Sequence, residues 1–470
     1  MGPDFVRPKA PAVDHYNYGG DPSITVPVDG QSQRFKQGIG PVENWWKLFN
    51  SKQLDAAVAE GLANNPSLQA AQASLRQSND NLQAGYGIFY PQINAGINGA
   101  RQKFSPARFG SSGTSSIFNL LTLSASVSYA LDIFGGERRT VENLQSQVDL
   151  QRSLVLGTYL TLSGNIVNTI IAMAAYQEEI KHTEQLITMQ KEQITIAEKQ
   201  AFAGTVSYAP VLILRTQLAS FEATLPPLRQ KLSQSEHLLA TLEGHIPSEW
   251  MPPQVSMAEL SLPGELPLSL PSELVRQRPD VVAAEAQLHG ANANIGVATA
   301  ALFPSFTLNG TYGQNRTSMN GLFGKKANFW SLGTNITAPL FNGGTLLSQR
   351  QAALDAYQQS LAIYRQTVLA AFSQVADTVR ALEHDAEATQ AESQYVVASE
   401  KSLHLIQANY EAGMVNYLQV LIAMIQYNQA KISYLQTQAQ RYQDTTALFV
   451  ALGGGWGNTA DALNVGARLK

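Results

Sequence analysis

Apolar and polar residues alternate strictly in four short stretches of the chain and recur at helical spacing through most of the rest. Leu121, Leu123, Ala125, Val127 and Tyr129 alternate with Thr122, Ser124, Ser126 and Ser128. Phe306, Leu308, Gly310 and Tyr312 alternate with Thr307, Asn309, Thr311 and Gly313, and Leu332, Thr334, Ile336 and Ala338 with Ser331, Gly333, Asn335 and Thr337. Residues 92–103 form a weaker fourth copy. Period two, with one apolar and one small polar face, predicts strands of about ten residues. Ten tilted residues span a bilayer, and the alternation suits an outer-membrane barrel; a sheet with one face on a core and one in water has the same pattern. Four strands arranged as two separated hairpins cannot close a barrel, whose smallest forms have about eight. In a membrane, several chains would have to share one.

The remaining pattern is helical. A helix is predicted from Ser51 to Asn64, and Pro66 opens a second that runs to about Phe89. From Glu137 to Ala203 there is no proline, and only Gly157 and Gly164 interrupt: about 67 residues, or roughly 100 Å of helix. The chain turns at Gly204 and returns through Leu242, with Pro226-Pro227 predicted to kink the return. A second long helix runs from Thr345 to Ala412, turns at Gly413 and returns to Leu452. Such lengths read as bundle or coiled-coil elements.

These elements occur twice. Pro66, Ala71, Leu75 and Pro91 reappear as Pro279, Ala284, Leu288 and Pro304, each 213 residues on. Gly135-Gly136 matches Gly343-Gly344, and Ala203-Gly204-x-Val206-x-Tyr208-x-x-Val211-Leu212-Ile213 matches Ala412-Gly413-x-Val415-x-Tyr417-x-x-Val420-Leu421-Ile422. A constant spacing of unlike landmarks means a duplicated unit of about 210 residues. The expected organisation is an extended arm and start of a packed region over 1–50, a first repeat over 51–243, a proline-rich linker over 244–271, a second repeat over 272–453 and a tail over 454–470.

Charged residues make up 14% of the chain, against roughly 25% in soluble domains, and hydrophobic residues at 44% do not fill the gap. Neutral polar residues do, which suits surfaces facing lipid or a neutral aqueous lumen. A net charge of −4 with mixed signs argues against nucleic acid as a partner. The absence of cysteine excludes disulfides, thiolate metal sites and cysteine catalysis. No unbroken run of about 18 apolar residues predicts a transmembrane helix, and Met1-Gly2-Pro3-Asp4 does not read as a signal peptide.

Catalytic grammar is missing. The seven histidines form no H-E-x-x-H pair. His384, between Glu383 and Asp385, is the best metal candidate but reads as a solvated polar face. Gly85-x-Gly87 lacks the remainder of a phosphate loop, no G-x-S-x-G occurs, and Met414 and Met424 near one turn read as packing. No enzyme activity, cofactor or metal is expected.

The run Leu266-Pro267…Leu270-Pro271-Ser272-Glu273-Leu274-Val275…Arg278-Pro279-Asp280-Val281…Ala284-Glu285-Ala286-Gln287-Leu288…Ala291-Asn292-Ala293-Asn294-Ile295-Gly296…Phe303-Pro304 resembles the TolC-like outer membrane factors of Gram-negative efflux systems. The likeness is to their OprM-like (NodT) lipoprotein branch and covers residues 2–457. Gly2-Pro3-Asp4-Phe5-x-x-Pro8, Trp45-Trp46, Leu131-Asp132-Ile133-Phe134-Gly135 and Gly453-Gly454-Gly455-Trp456 agree with it in order.

The resemblance implies a membrane α+β fold: a homotrimeric channel-tunnel in which each chain gives four strands to a twelve-stranded β-barrel continuous with a long periplasmic α-helical barrel. It implies a passive exit duct for drugs, bile salts and detergents, working in the outer membrane with a periplasmic adaptor protein and a proton-driven inner-membrane transporter. Metal-ion efflux and type I protein secretion are the alternatives within that class; a soluble coiled-coil scaffold leaves the strands unexplained. The branch begins with a lipid-modified cysteine where Met1 stands, so a lipid anchor on a native cysteine is expected.

By the same analogy Leu418, Gln419, Ile422 and Ile425 line a periplasmic gate, and Gly204, Thr205, Tyr208, Gly413, Met414, Asn416 and Tyr417 form the adaptor-contacting tip. Many relatives place aspartate opposite Gln419 or Ile422 and arginine can stand opposite Ile425, so this apolar set would close by packing and exclusion of water. Ile422 and Ile425 could instead face a neighbouring helix as coiled-coil core.

Overall fold

The computed structural model describes residues 1–40, 42–110 and 112–455; Trp456 and the rest of the predicted tail lie outside them. The elements in chain order are β1 (Arg34–Gln37), α1 (Lys52–Asn64), α2 (Pro66–Tyr86), β2 (Gln92–Phe104), β3 (Ser116–Leu131), α3 (Gly136–Phe202), α4 (Ala209–Leu242), β4 (Glu265–Leu268), α5 (Pro271–Gln277), α6 (Pro279–Ala300), β5 (Ser305–Arg316), β6 (Asn328–Thr337), α7 (Thr345–Glu411) and α8 (Tyr417–Ala451). α4 stays one helix across Pro226-Pro227. The described residues divide into two compact units, each drawing on both sequence repeats: Met1–Pro8, Leu75–Gln151 and Ala283–Tyr364 in one, and Lys9–Ser74, Arg152–Val282 and the chain from Arg365 onward in the other.

The first unit holds one antiparallel sheet in the order β2-β3-β5-β6. The two hairpins, far apart in sequence, therefore form one sheet: β3 and β5 pair from Leu121↔Arg316 to Leu131↔Phe306 and fuse them. The register explains the alternation. Ile93 lies opposite Val127, Val127 opposite Gly310, and Gly310 opposite Leu332; the next apolar row is Ala95, Ala125, Tyr312 and Trp330. Between them runs Asn94, Ser126, Thr311 and Ser331. Cross-strand neighbours share a face, so the sheet has one apolar and one polar side. The apolar side is uncovered in the single chain: Ile93 is 72% exposed, Ile97 76%, Trp330 74% and Leu332 80%. β2 and β6 are edges.

Below the sheet in the same unit, Phe134 stacks on Phe303 at 4.8 Å. The first residues are seated against this layer. The Met1 amine donates to Phe134 O at 2.7 Å, Arg139 pairs with Asp4 at 2.6 Å, Phe5 stacks on His289 at 4.4 Å, and Arg7 pairs with Glu285 at 2.6 Å. Asp132 caps α3, accepting from the amides of Glu137 and Arg138.

In the second unit Trp45, Trp46 and Phe49 are buried, with Trp45 stacked on Phe449 at 5.3 Å. Buried Arg278 donates to Ala451 O at 2.8 Å, Gln374 at 2.9 Å and Asp280 at 2.7 Å, satisfying an orphan carbonyl at the end of α8. The arm and linker are less irregular than their composition suggested, because β1 and β4 pair in parallel from Arg34↔Glu265 to Gln37↔Leu268. Arg441 of α8 reaches this region, donating to Gln33 at 3.0 Å and Thr25 at 3.3 Å.

Although no unbroken apolar run exists, α3 contains an 18-residue window of mean hydropathy 1.4. Half of that window is buried within the protein, and Ile166, Val167, Ile170 and Ile171 are fully enclosed. Burial of that kind is the mark of a core helix.

Asp385 on α7 generates a pH-dependent term in stability. Burial first, and then the Asp444 carboxyl, push it from its ordinary 3.8 up to about 7, against the pull of Arg441. The folded chain therefore holds a proton that the unfolded chain releases. The contribution of the neutral form is complete below the ordinary value and is lost as pH rises through about 7. Asp385→Asn, which cannot ionise, should gain melting temperature relative to the parent as pH rises from 5 to 8. A difference that stays constant across that range in thermal unfolding scans contradicts the assignment.

Candidate functional site

The two helical turns are built by one device. At the end of α3, Gly204 adopts φ +70°, its amide donates to Ala201 O at 3.1 Å, and Thr205 donates from both N and Oγ1 to Gln200 O. At the end of α7, Gly413 adopts φ +74°, with Gly413 N donating to Tyr410 O and Met414 N to Asn409 O at 2.9 Å each. A left-handed glycine that lets the last carbonyls be satisfied is a standard helix stop. The restarts differ. Asn416 caps α8 by accepting from Gln419 N at 3.3 Å, whereas α4 begins at Ala209-Pro210 without a side-chain cap.

One apolar cluster ties these four helices behind the turns. It contains Ile194 and Ala197 from α3, Val211 and Leu214 from α4, Leu403 from α7, and Val420, Leu421, Ala423 and Met424 from α8. Polar cross-ties differ between the hairpins. Arg215–Glu198 at 2.6 Å, Lys191–Glu222 at 2.9 Å and Arg229–Glu184 at 2.7 Å join α4 to α3, and buried Gln190 donates to Leu214 O at 3.0 Å. Between α7 and α8, Tyr427 donates to Glu400 at 3.4 Å.

The gate candidates lie off the cluster. Leu418, Gln419, Ile422 and Ile425 are exposed on α8, with Leu418 at 50%, Ile422 at 48% and Ile425 at 37%. The steps from 418 to 422 and 425 are helical i, i+4, i+7 spacing, so these three side chains share one stripe. Gly204, Thr205, Tyr208, Gly413, Met414 and Asn416 are also exposed. Tyr417 is not. It is half-buried against Tyr410 in an edge-to-face contact of 5.4 Å, and burial, then Tyr410, push its hydroxyl up to about 12. The neutral phenol is a wedge inside the turn.

Met424 is core while Met414 is exposed, so the two make no common site. His384 contacts Glu387 at 3.2 Å on an exposed surface. Among the described residues, the group that could hold a metal is instead Glu60, Glu243 and His245. Sequence reasoning also missed an exposed apolar set beside the first turn: Phe202, Leu212 and Ile213, with Phe202 97% exposed. The available signal was apolar residues falling outside the stripe set by Val211 and Leu214.

A sheet with an apolar outer face, joined in sequence to paired long helices with exposed apolar turns, defines a channel-forming membrane protein. The family model of the outer membrane efflux proteins matches residues 57–245 and 270–454, and the chain belongs to that family. It is 28% identical to the pyoverdine export outer membrane protein OpmQ of Pseudomonas putida, covering 88% of this chain and 89% of that protein. It is also 28% identical to the solvent efflux pump outer membrane protein SrpC of Pseudomonas putida, covering 97% and 95%. The solved outer-membrane channel OprN superposes with a TM-score of 0.87 at 25% identity, covering 97% of this chain and 99% of that one. The chain is thus an outer-membrane efflux component and not an enzyme.

Proposed function

We propose that three copies of this chain form a passive exit duct in the outer membrane, each giving four strands to a twelve-stranded barrel and its long helices to a periplasmic tunnel. The observation that carries this reading is the four-stranded sheet with two edges and an exposed apolar face. Four strands are too few to close, and open edges are not stable in hydrocarbon. The polar face, with Asn94, Ser126, Thr311 and Ser331, then lines a neutral lumen.

The duct completes a tripartite pump with a periplasmic adaptor and a proton-driven inner-membrane transporter, and passes small toxic organic compounds. Selectivity rests with the transporter. The adaptor docks on the exposed turn residues Gly204, Thr205, Tyr208, Gly413, Met414 and Asn416, while Tyr417 supports them from within. A lipid anchor on a native cysteine at the place of Met1 fits the Gly2-Pro3-Asp4 motif; a gene whose coding start is this methionine, with no lipobox upstream, contradicts it.

Leu418, Ile422 and Ile425, with Gln419 beside them, form the gate. Their exposure on a shared stripe, away from the cluster that joins the hairpins, supports this placement. Three copies would bring rings of branched apolar side chains together, and such a constriction resists water and ions by dewetting. The lighter polar tie between α7 and α8 favours that hairpin as the moving part. In planar bilayers Ile422→Ser should raise the closed-state current several-fold by wetting the ring. An unchanged closed state in a correctly assembled variant contradicts the gate.

A further inference from the structure

The carboxyl end of α4, outside the turns, gathers three ligand-bearing side chains. Glu243 closes the helix, His245 follows two residues on after Gly244, and Glu60 projects from α1. His245 Nε2 lies 2.6 Å from Glu60 Oε1, and one donor atom from each of Glu60, Glu243 and His245 lies within 4.8 Å of the other two. Glu243 is almost wholly buried, oriented by Trp250 Nε1, which donates to its Oε2 at 2.7 Å. Glu60 stands at the exposed mouth.

The backbone fixes this arrangement. Gly244 adopts φ +81°, and a Cβ there would stand 2.7 Å from Asn64 O and 3.0 Å from Asn64 C. Only glycine lets the chain leave α4 this close to the end of α1. His245 N donates to Ala240 O at 2.8 Å, and Asn65 Nδ2 donates to Leu242 O at 2.8 Å, so the two segments are tied on both sides of the trio. The electrostatics call for a cation. Two carboxylates meet the negative end of the α4 dipole, and among the described residues no lysine or arginine forms an ion pair with Glu60 or Glu243.

We propose that Glu60, Glu243 and His245 bind one divalent first-row cation, of which Zn²⁺ is the representative, as a clip between α1 and the end of α4. One imidazole and two carboxylates, without thiolate, suit such an ion better than Cu(I), and the nitrogen donor sets the site apart from the all-oxygen cages of Mg²⁺ and Ca²⁺. Ligand bonds of about 2.0–2.1 Å in a tetrahedron place donor atoms roughly 3.3 Å apart. The His245–Glu60 contact therefore opens by less than about 1 Å as the ion enters. The proton shared between Nε2 and Oε1 leaves to solvent, and water fills the fourth position on the exposed side. The three residues lie outside the turns and the gate stripe, and their capacity to hold the ion does not depend on either.

Titration of the chelator-stripped full chain in detergent with Zn²⁺ tests the clip. Calorimetry should find one saturable site per chain, and the melting temperature should rise with Zn²⁺. His245→Gln, which keeps a hydrogen-bonding group beside Glu60, should weaken binding at least ten-fold and abolish the rise. Glu60→Gln, on the exposed side, should do the same while melting like the parent without metal. His384→Gln should leave both readouts intact. No saturable site in the parent, undiminished binding in His245→Gln and Glu60→Gln, loss on His384→Gln, or preference for Mg²⁺ over Zn²⁺ overturns the proposal.

Discussion

An uncovered sheet edge in hydrocarbon is the constraint on which the rest of this protein depends. Each unpaired backbone N–H or C=O in lipid costs several kcal/mol, with no water to share the load. The chain has four membrane-length strands, and β2 and β6 are left as edges. A closed ring of identical sheets removes every edge at once, because β6 of one copy meets β2 of the next. Three such sheets give twelve strands, a number that encloses an aqueous channel without needing side chains to fill it. The duplication fits the same constraint: each half contributes one strand hairpin and one long helical hairpin to a ring with six pseudo-equivalent parts.

Symmetry within the ring breaks at the turns. Both use a left-handed glycine, yet one helix restarts with an asparagine cap and the other with proline. α3 and α4 are laced by ion pairs, whose exposed members are individually worth little but which together limit sliding. α7 and α8 rely more on the shared apolar cluster and on Tyr417 wedged against Tyr410. Apolar packing with few directional cross-ties near the turn tolerates rotation better than a lattice of fixed donors and acceptors. That difference is why motion is proposed for one hairpin and support for the other.

Much of this was legible in the sequence because it is periodic. Alternation marked β3, β5 and β6, and the absence of proline marked α3 and α7. β2 was weaker on its own, since Asn94, Gly96 and Asn98 give its polar face little contrast with Gly99; its register against β3 makes the apolar row plain. β1 and β4 were not legible. Four residues are too few to show a period, and each depends on a partner more than 200 positions away. The burial of Tyr417 was hidden because a turn residue carries no helical phase. The Glu60, Glu243 and His245 trio has no motif, being assembled by the fold from α1 and the far end of α4. The family resemblance pointed to the turns; the coordinates separate exposed side chains there from the one that props them.

Cysteine cross-linking between strand edges tests ring closure most directly, and a sequence without cysteine from Met1 to Lys470 makes it clean. Asn98→Cys on β2 would be combined in turn with single cysteines along β6, from Asn328 to Thr337, and oxidised in outer-membrane vesicles. At the matching register the account predicts covalent dimers and trimers that stop at three chains. A chain that remains monomeric at every register, or a ladder continuing past three, would contradict a closed trimeric barrel.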